Sequence, residues 1–295
     1  VSAGIPGYVI LAVLGAALLH ATWNALAKGR AGQGDPLPST ILVVAGGALA
    51  SALLLLAVPL GWLSAPAAAS WPFIAASSLC QIAYYLLLIE AYRSGDMSHA
   101  YPLMRGSAPL LVALLNGFLT GERLSGAQWL ALCLICGGVL AMVAARGPAT
   151  QAAASQRRAT LFALATACVI ALYTMIDGVG VRRSGAPAAY TMWIFLLNGT
   201  AVTAWAARTH WRALLRLAGA RPLLLPIGGV STLGSYGIAL WAMTLAPVAA
   251  IAALRETSIL FATAIAALVL RERVGRARLL AVALIACGAV AMRLA

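Results

Sequence analysis

Residues 121–142 read GERLSGAQWLALCLICGGVLAM, and residues 271–292 read RERVGRARLLAVALIACGAVAM. Laid over each other at an offset of 150 residues, Glu122-Arg123 falls on Glu272-Arg273 and Ala131–Ile135 on Ala281–Ile285. Gly138 falls on Gly288, and Ala141-Met142 on Ala291-Met292. Carried toward the N-terminus, the same register sets Arg105 over Arg255, Pro72 over Pro222 and Trp23 over Tyr173. Alanine and leucine coincide by chance in so apolar a chain. Two arginines embedded at one place in two apolar runs do not, so the chain reads as an internal duplication.

The medium for that duplicated unit follows from composition. Of 295 residues, 63% are hydrophobic and 9% charged, with a mean hydropathy of +0.95. Soluble domains average about 45–50% apolar and about 25% charged. Lipid is the solvent that removes the need for a charged surface, so the unit to count is the membrane span of about 20 apolar residues. Charged or Pro/Gly-rich breaks divide the chain into ten such runs: Tyr8–Ala27, Pro36–Trp62, Pro72–Tyr92, Met97–Thr120, Gly126–Ala145, Ala159–Val181, Pro187–Ala207, Pro222–Thr244, Pro247–Leu270 and Arg276–Met292. His210–Arg216 reads as a short amphipathic piece on the membrane surface. The expected organisation is a first five-helix repeat over 1–146, a polar linker over 147–158, and a second repeat over 159–295. An odd number of spans turns the second copy upside down, a recurring plan of secondary transporters. The fold class is therefore an all-α membrane protein of ten transmembrane helices, built as two inverted five-helix repeats.

The net charge of +13 does not point to nucleic acid, because the basic residues sit in short gaps between apolar runs. Fourteen Lys and Arg fall in the loops after the first, third, fifth, seventh and ninth runs, against four at the other ends. Positive residues stay cytoplasmic, which puts both termini outside, periplasmic in a bacterial inner membrane. The first run has no basic residues before it and reads as a span, not a cleavable signal.

Ionisable residues inside spans need a partner or a water-filled cavity. Arg105 and Arg255 lie at matching depths, and Glu256 adjoins the second. Their guanidinium forks suit a carboxylate, and the competing structural reading is an Arg255–Glu256 or Arg105–Glu90 pair. His20, Trp23 and Asn24 share a face of the first helix, and Tyr173 and Asp177 share the matching face of the sixth. Asp177 is read as a proton site, an ammonium partner or a mate for Arg182. Gln81 and Tyr84 on the third run, Tyr101 on the fourth and Trp241 on the eighth complete the expected substrate lining. Pro102, Pro109 and Pro247 are the expected hinges, since proline frees carbonyls and bends helices. Gly137, Gly138 and Gly288 read as close-packing sites where the halves meet.

No catalytic residue, metal site or cofactor is expected. Cys133 and Cys136 lack the second ligand pair of a zinc site, and all five cysteines read as apolar fillers. Phosphate-binding, HExxH and G-x-S-x-G motifs are missing, so an ATP-driven pump or common hydrolase is not indicated.

The stretch 110–124, LLVALLNGFLTGERL, its second copy ending in Leu270-Arg271-Glu272-Arg273-Val274, and the first-helix segment His20–Lys28 resemble tandem EamA units of the drug/metabolite transporter superfamily. That resemblance implies alternating-access transport, often export of amino acids and related metabolites, by a chain functional as a monomer. Other readings are export of other metabolites or drugs, nucleotide-sugar carriage, or a non-transporting membrane scaffold. Two features depart from the family pattern. Arg271 stands where the first copy has Gly121, which implies a different turn, and the charge bias puts the termini outside where many relatives have them inside.

Overall fold

The computed structural model describes residues 5–28, 36–94, 97–119, 121, 124–144, 153–269, 271 and 275–295. Among them are eleven α-helices and no strand: α1 (Gly7–Lys28), α2 (Pro36–Leu55), α3 (Trp71–Ser94), α4 (Met97–Leu119), α5 (Gly126–Ala144), α6 (Ala153–Ser184), α7 (Pro187–Ala220), α8 (Leu224–Met243), α9 (Val248–Arg255), α10 (Ser258–Leu268) and α11 (Arg276–Leu294). A single 3-10 turn, Ala68–Ser70, leads into α3. Among the described residues seven spans are long and apolar enough to cross a membrane, with α9 and α10 counting as one. Bulky apolar side chains cover the outside, including Leu11 at 71% and Phe118 at 88% exposure. A surface of that kind calls for lipid.

Four helices differ from the sequence expectation. The second stops at Leu55, not Trp62, because Pro59 and Gly61, at φ +75°, wind the chain into turns. The seventh runs on to Ala220 and absorbs His210–Arg216, so no separate surface helix exists there. No glycine or proline interrupts residues 200–218, and the helix had no reason to end where the apolar run does. The sixth begins at Ala153, inside the stretch expected as linker, since Ala153-Ala154-Ser155-Gln156-Arg157-Arg158 holds good helix formers. The ninth is broken between Arg255 and Ser258.

Packing follows the duplication. The strongest partners are α3 with α6, α5 with α11, α2 with α7, α2 with α8 and α1 with α8, and all but α2–α8 have a mate of similar extent under the duplication. Exchanging each helix of the first half for its counterpart in the second turns α3–α6 into α8–α1 and returns α2–α7 and α5–α11 onto themselves. At the α5–α11 crossing, a Cβ on Gly138 would lie 2.8 Å from the Ala281 carbonyl oxygen, and one on Gly288 would lie 2.8 Å from that of Ala131. The two contacts are mates in the 150-residue register. Gly137 meets nothing within 4 Å and takes no part in the crossing. A second close approach, not anticipated, brings the backbones of Gly46 on α2 and Gly229 on α8 together.

The connections sort into groups by contact. Arg221, after α7, donates to the carbonyls of Leu26 and Ala27 at the end of α1. His99 meets Thr160, and Glu90 lies 3.5 Å from Arg158, joining the end of α3 and the start of α4 to the start of α6. Elsewhere, the Ala67 amide donates to Ser184 O, and Arg182 donates to Met243 O and Ala246 O. Gly7 lies against Arg293, so the two ends of the described chain meet.

Gly121 and Arg271, expected to turn differently, both adopt the left-handed region, at φ +70° and +55°. Both residues thus share the left-handed φ. Glycine takes it freely, whereas arginine brings its Cβ into steric conflict.

Candidate functional site

Arg105 sits in the third turn of α4, and Glu256 stands in the gap between α9 and α10. Arg105 Nε donates to Glu256 Oε2 at 3.0 Å, and Nη2 lies 3.0 Å from Oε1 without a well-aligned hydrogen bond. The side chains are 12% and 5% exposed. This pair joins the two repeats at the centre of the packing, neither of the pairings foreseen for these residues. Glu90 turns to Arg93 and Arg158 at the exposed end of α3. Removing one member of a buried pair costs about 3–5 kcal/mol, because the other is left charged and unpaired.

The gap that frees Glu256 is built from tight turns. Glu256 N–H donates to Ala253 O, Thr257 N–H and Oγ1 both donate to Leu254 O, and Ile259 N–H donates to Glu256 O. These i→i−3 bonds replace the α-helical ladder without leaving the carbonyls unsatisfied. No proline lies within the gap. Pro102 and Pro109, expected to bend the fourth helix, lie inside an unbroken α4, and Pro247 serves as the N-cap residue of α9.

Arg255 turns away from Glu256 and lies over the Tyr236 ring, 5.0 Å from its centroid. Tyr236 opens a row of aromatic rings: Tyr173 at 6.3 Å, then Tyr84 a further 6.0 Å on, then Tyr85 at 5.0 Å. His20 is within electrostatic reach of both arginines, and Tyr101 within reach of Arg105, Arg255 and Glu256. The expected residues His20, Tyr84, Tyr101, Arg105, Tyr173, Arg255 and Glu256 thus come together from both halves.

Asp177 and Gln81 form a second, adjoining cluster. Asp177 has no exposed surface, and its carboxylate accepts from Tyr236 Oη at 2.5 Å, Tyr190 Oη at 3.1 Å and Gln81 Nε2 at 3.4 Å. Gln81 Oε1 accepts from Asn198 Nδ2 at 2.6 Å, and its Nε2 also donates to Ser77 Oγ at 3.1 Å. Four helices, α3, α6, α7 and α8, are tied by this network. Tyr236 belongs to both clusters, offering its ring to Arg255 and its hydroxyl to Asp177.

The remaining expected lining residues have further partners. Trp23 donates to His20 Nδ1 at 3.4 Å and packs against the apolar cluster that includes Ile41, Val43 and Leu224. Asn24 Nδ2 donates to the His20 carbonyl. Trp241 packs near Tyr8, at 6.3 Å, by the start of α1. Tyr190 and Asn198 were not foreseen, and Asn198 had a legible signal, an amide within the apolar run Phe195-Leu196-Leu197-Asn198. Glu122-Arg123 and Glu272-Arg273 lie outside the described residues. Among the described residues no cluster of His, Cys, Asp and Glu has the makings of a metal site.

The EamA-like transporter family model matches residues 7–144 and again residues 157–294. The two matched segments start 150 residues apart, the offset at which the arginines and glycines pair. A solved structure described only as the crystal structure of a protein superimposes with a TM-score of 0.78 at 22% identity, covering 97% of this chain and 96% of that one. At that identity the likeness speaks for the fold alone. No curated protein matches the chain.

Proposed function

Since the chain belongs to the EamA-like transporter family and is a multi-pass membrane protein, we propose that it exports amino acids or related small zwitterions across the bacterial inner membrane. Transport proceeds by alternating access at the seam between two inverted five-helix repeats. The observation that carries this reading is the buried Arg105–Glu256 pair, which takes one charge from each repeat. A zwitterion bears the same two charges and suits a seam where each repeat already contributes one of them. Rocking the halves apart around such a site exposes it to one side of the membrane and then the other.

Ten spans are supported by length. The three helices beyond the seven apolar spans, α4, α5 and α7, have 23, 19 and 34 residues. At about 1.5 Å per residue, the shortest comes close to the roughly 30 Å of a bilayer core. The contacts among connections favour strict alternation. The end of α1 meets the α7–α8 connection, α2–α3 meets α6–α7, the end of α6 meets the α8–α9 connection, and Gly7 meets Arg293. Each contact joins connections that ten alternating spans place on one side. The arginine-rich set is the cytoplasmic one, which puts both termini in the periplasm.

The test is flux of a panel of labelled amino acids in proteoliposomes, with and without a pH gradient. We expect saturable flux of at least one. A folded protein that moves none of them overturns the substrate class.

A further inference from the structure

We propose that Arg255 anchors the carboxylate of the transported solute, filling a place that the duplicated fold leaves without a protein carboxylate. This rests on the transport reading above and names the group that the site recognises.

The argument begins with the register. Arg105 corresponds to Arg255, and Glu256, one residue on, corresponds to Gly106. In one half-site Arg105 reaches across to Glu256. Exchanging the halves would pair Arg255 with the side chain at 106, and glycine has none. Packing forbids a larger residue there, since a Cβ on Gly106 would sit 2.8 Å from Leu140 Cγ and 3.3 Å from the Cys136 carbonyl oxygen. The second half-site therefore has its cation and lacks its anion.

The nearby acids do not supply it. Glu256 is engaged by Arg105, and Asp177 is enclosed by Tyr236, Tyr190 and Gln81. Among the described residues Arg255 has no hydrogen bond or ion pair: it lies over the face of Tyr236 and is within electrostatic reach, but not contact, of Asp177 and Glu256. Arg255 is partly buried, and its contact with the Tyr236 ring, about 0.5–2 kcal/mol, leaves its N–H donors unused. A guanidinium takes a ligand carboxylate through two parallel N–H bonds. The aromatic faces of Tyr84 and Tyr173, with Glu256 beyond them, suit the ammonium of the same molecule. The ligand class is an α-amino acid or another carboxylate with a cationic group close by. Arg105 holds Glu256 in position and is not the anchor.

The experiment measures stabilisation of the purified, detergent-solubilised protein against thermal unfolding, followed by tryptophan fluorescence. The probes are L-leucine, L-threonine and L-phenylalanine, the amide of each, and 4-methylpentanoate, which keeps a carboxylate but lacks the ammonium. For at least one amino acid we expect the amide to need about ten- to a hundredfold more ligand for the same shift, the worth of a charge-assisted hydrogen-bonded pair. Arg255→Gln should erase that preference and Arg255→Lys should shrink it. If Arg255→Gln fails to fold, as judged by size-exclusion profile and circular dichroism, Arg255→Lys alone carries the comparison. Equal stabilisation by acid and amide, or an unchanged preference in the variants, overturns the anchor. Binding of 4-methylpentanoate through Arg255, with no amino acid bound, keeps the anchor and overturns the amino-acid reading. Binding of no carboxylate overturns the anchor.

Discussion

At the scale of single residues, the seam works by uneven treatment of two equivalent arginines. One is committed to Glu256 and the other rests on a ring. Arg105→Ala leaves Glu256 buried and unpaired, and we expect it to lose about 3 kcal/mol or more of stability together with nearly all flux. The reciprocal Glu256→Gln should be milder, because an amide can still accept from Arg105. Unfolding midpoints and initial flux rates of the two variants check the order. Arg271 takes the left-handed φ that its counterpart Gly121 takes, in spite of its side chain. Holding a non-glycine residue in the left-handed region costs on the order of 1 kcal/mol. Arg271→Gly should therefore raise the unfolding midpoint by a few degrees, and a lower midpoint would contradict the strain.

At the scale of elements, glycines set how near the helices come, and lipid gives no hydrophobic push to bring them together. Gly138→Ala and Gly288→Ala each place a methyl against a facing carbonyl, and we expect a loss of about 1–3 kcal/mol for each. Gly137→Ala, one residue along the same helix with open space before it, should be neutral or slightly stabilising. Equal losses at 137 and 138 would show that helix propensity, not the crossing, is being measured. The break between α9 and α10 belongs to this scale too. It lets Glu256 leave the helix face, and no proline lies in the gap itself, so the break rests on the tight turns after Ala253 and Leu254.

At the scale of the whole molecule, the chain of contacts between connections favours one alternation of sides and the arginine count favours one orientation. In a background with Cys80, Cys133, Cys136, Cys168 and Cys287 replaced, Ser64→Cys should react with a membrane-impermeant maleimide in intact cells. Gly219→Cys, at the end of α7, should react only after permeabilisation. The reverse pattern would invert the orientation, and labelling of both from outside would break the alternation.

The duplication, the lipid environment and the standing of Arg105, Arg255 and Glu256 as charges inside apolar helices were legible in the chain, because charge inside an apolar run is costly and has few explanations. The 150-residue register also marked Gly138 and Gly288 as partners before their crossing was seen. Pairing was not legible. Glu256 adjoins Arg255 in sequence, yet consecutive residues on a helix point apart, and only the packing of α4 against α9 brings Glu256 to Arg105. The same holds for Asp177, whose partners come from three other helices, and for Tyr236, whose two roles exist only once α6, α8 and α9 meet. Side-chain chemistry is local and periodic, so a linear chain displays it. Which charge finds which partner depends on distances between helices, and those exist only in the folded molecule.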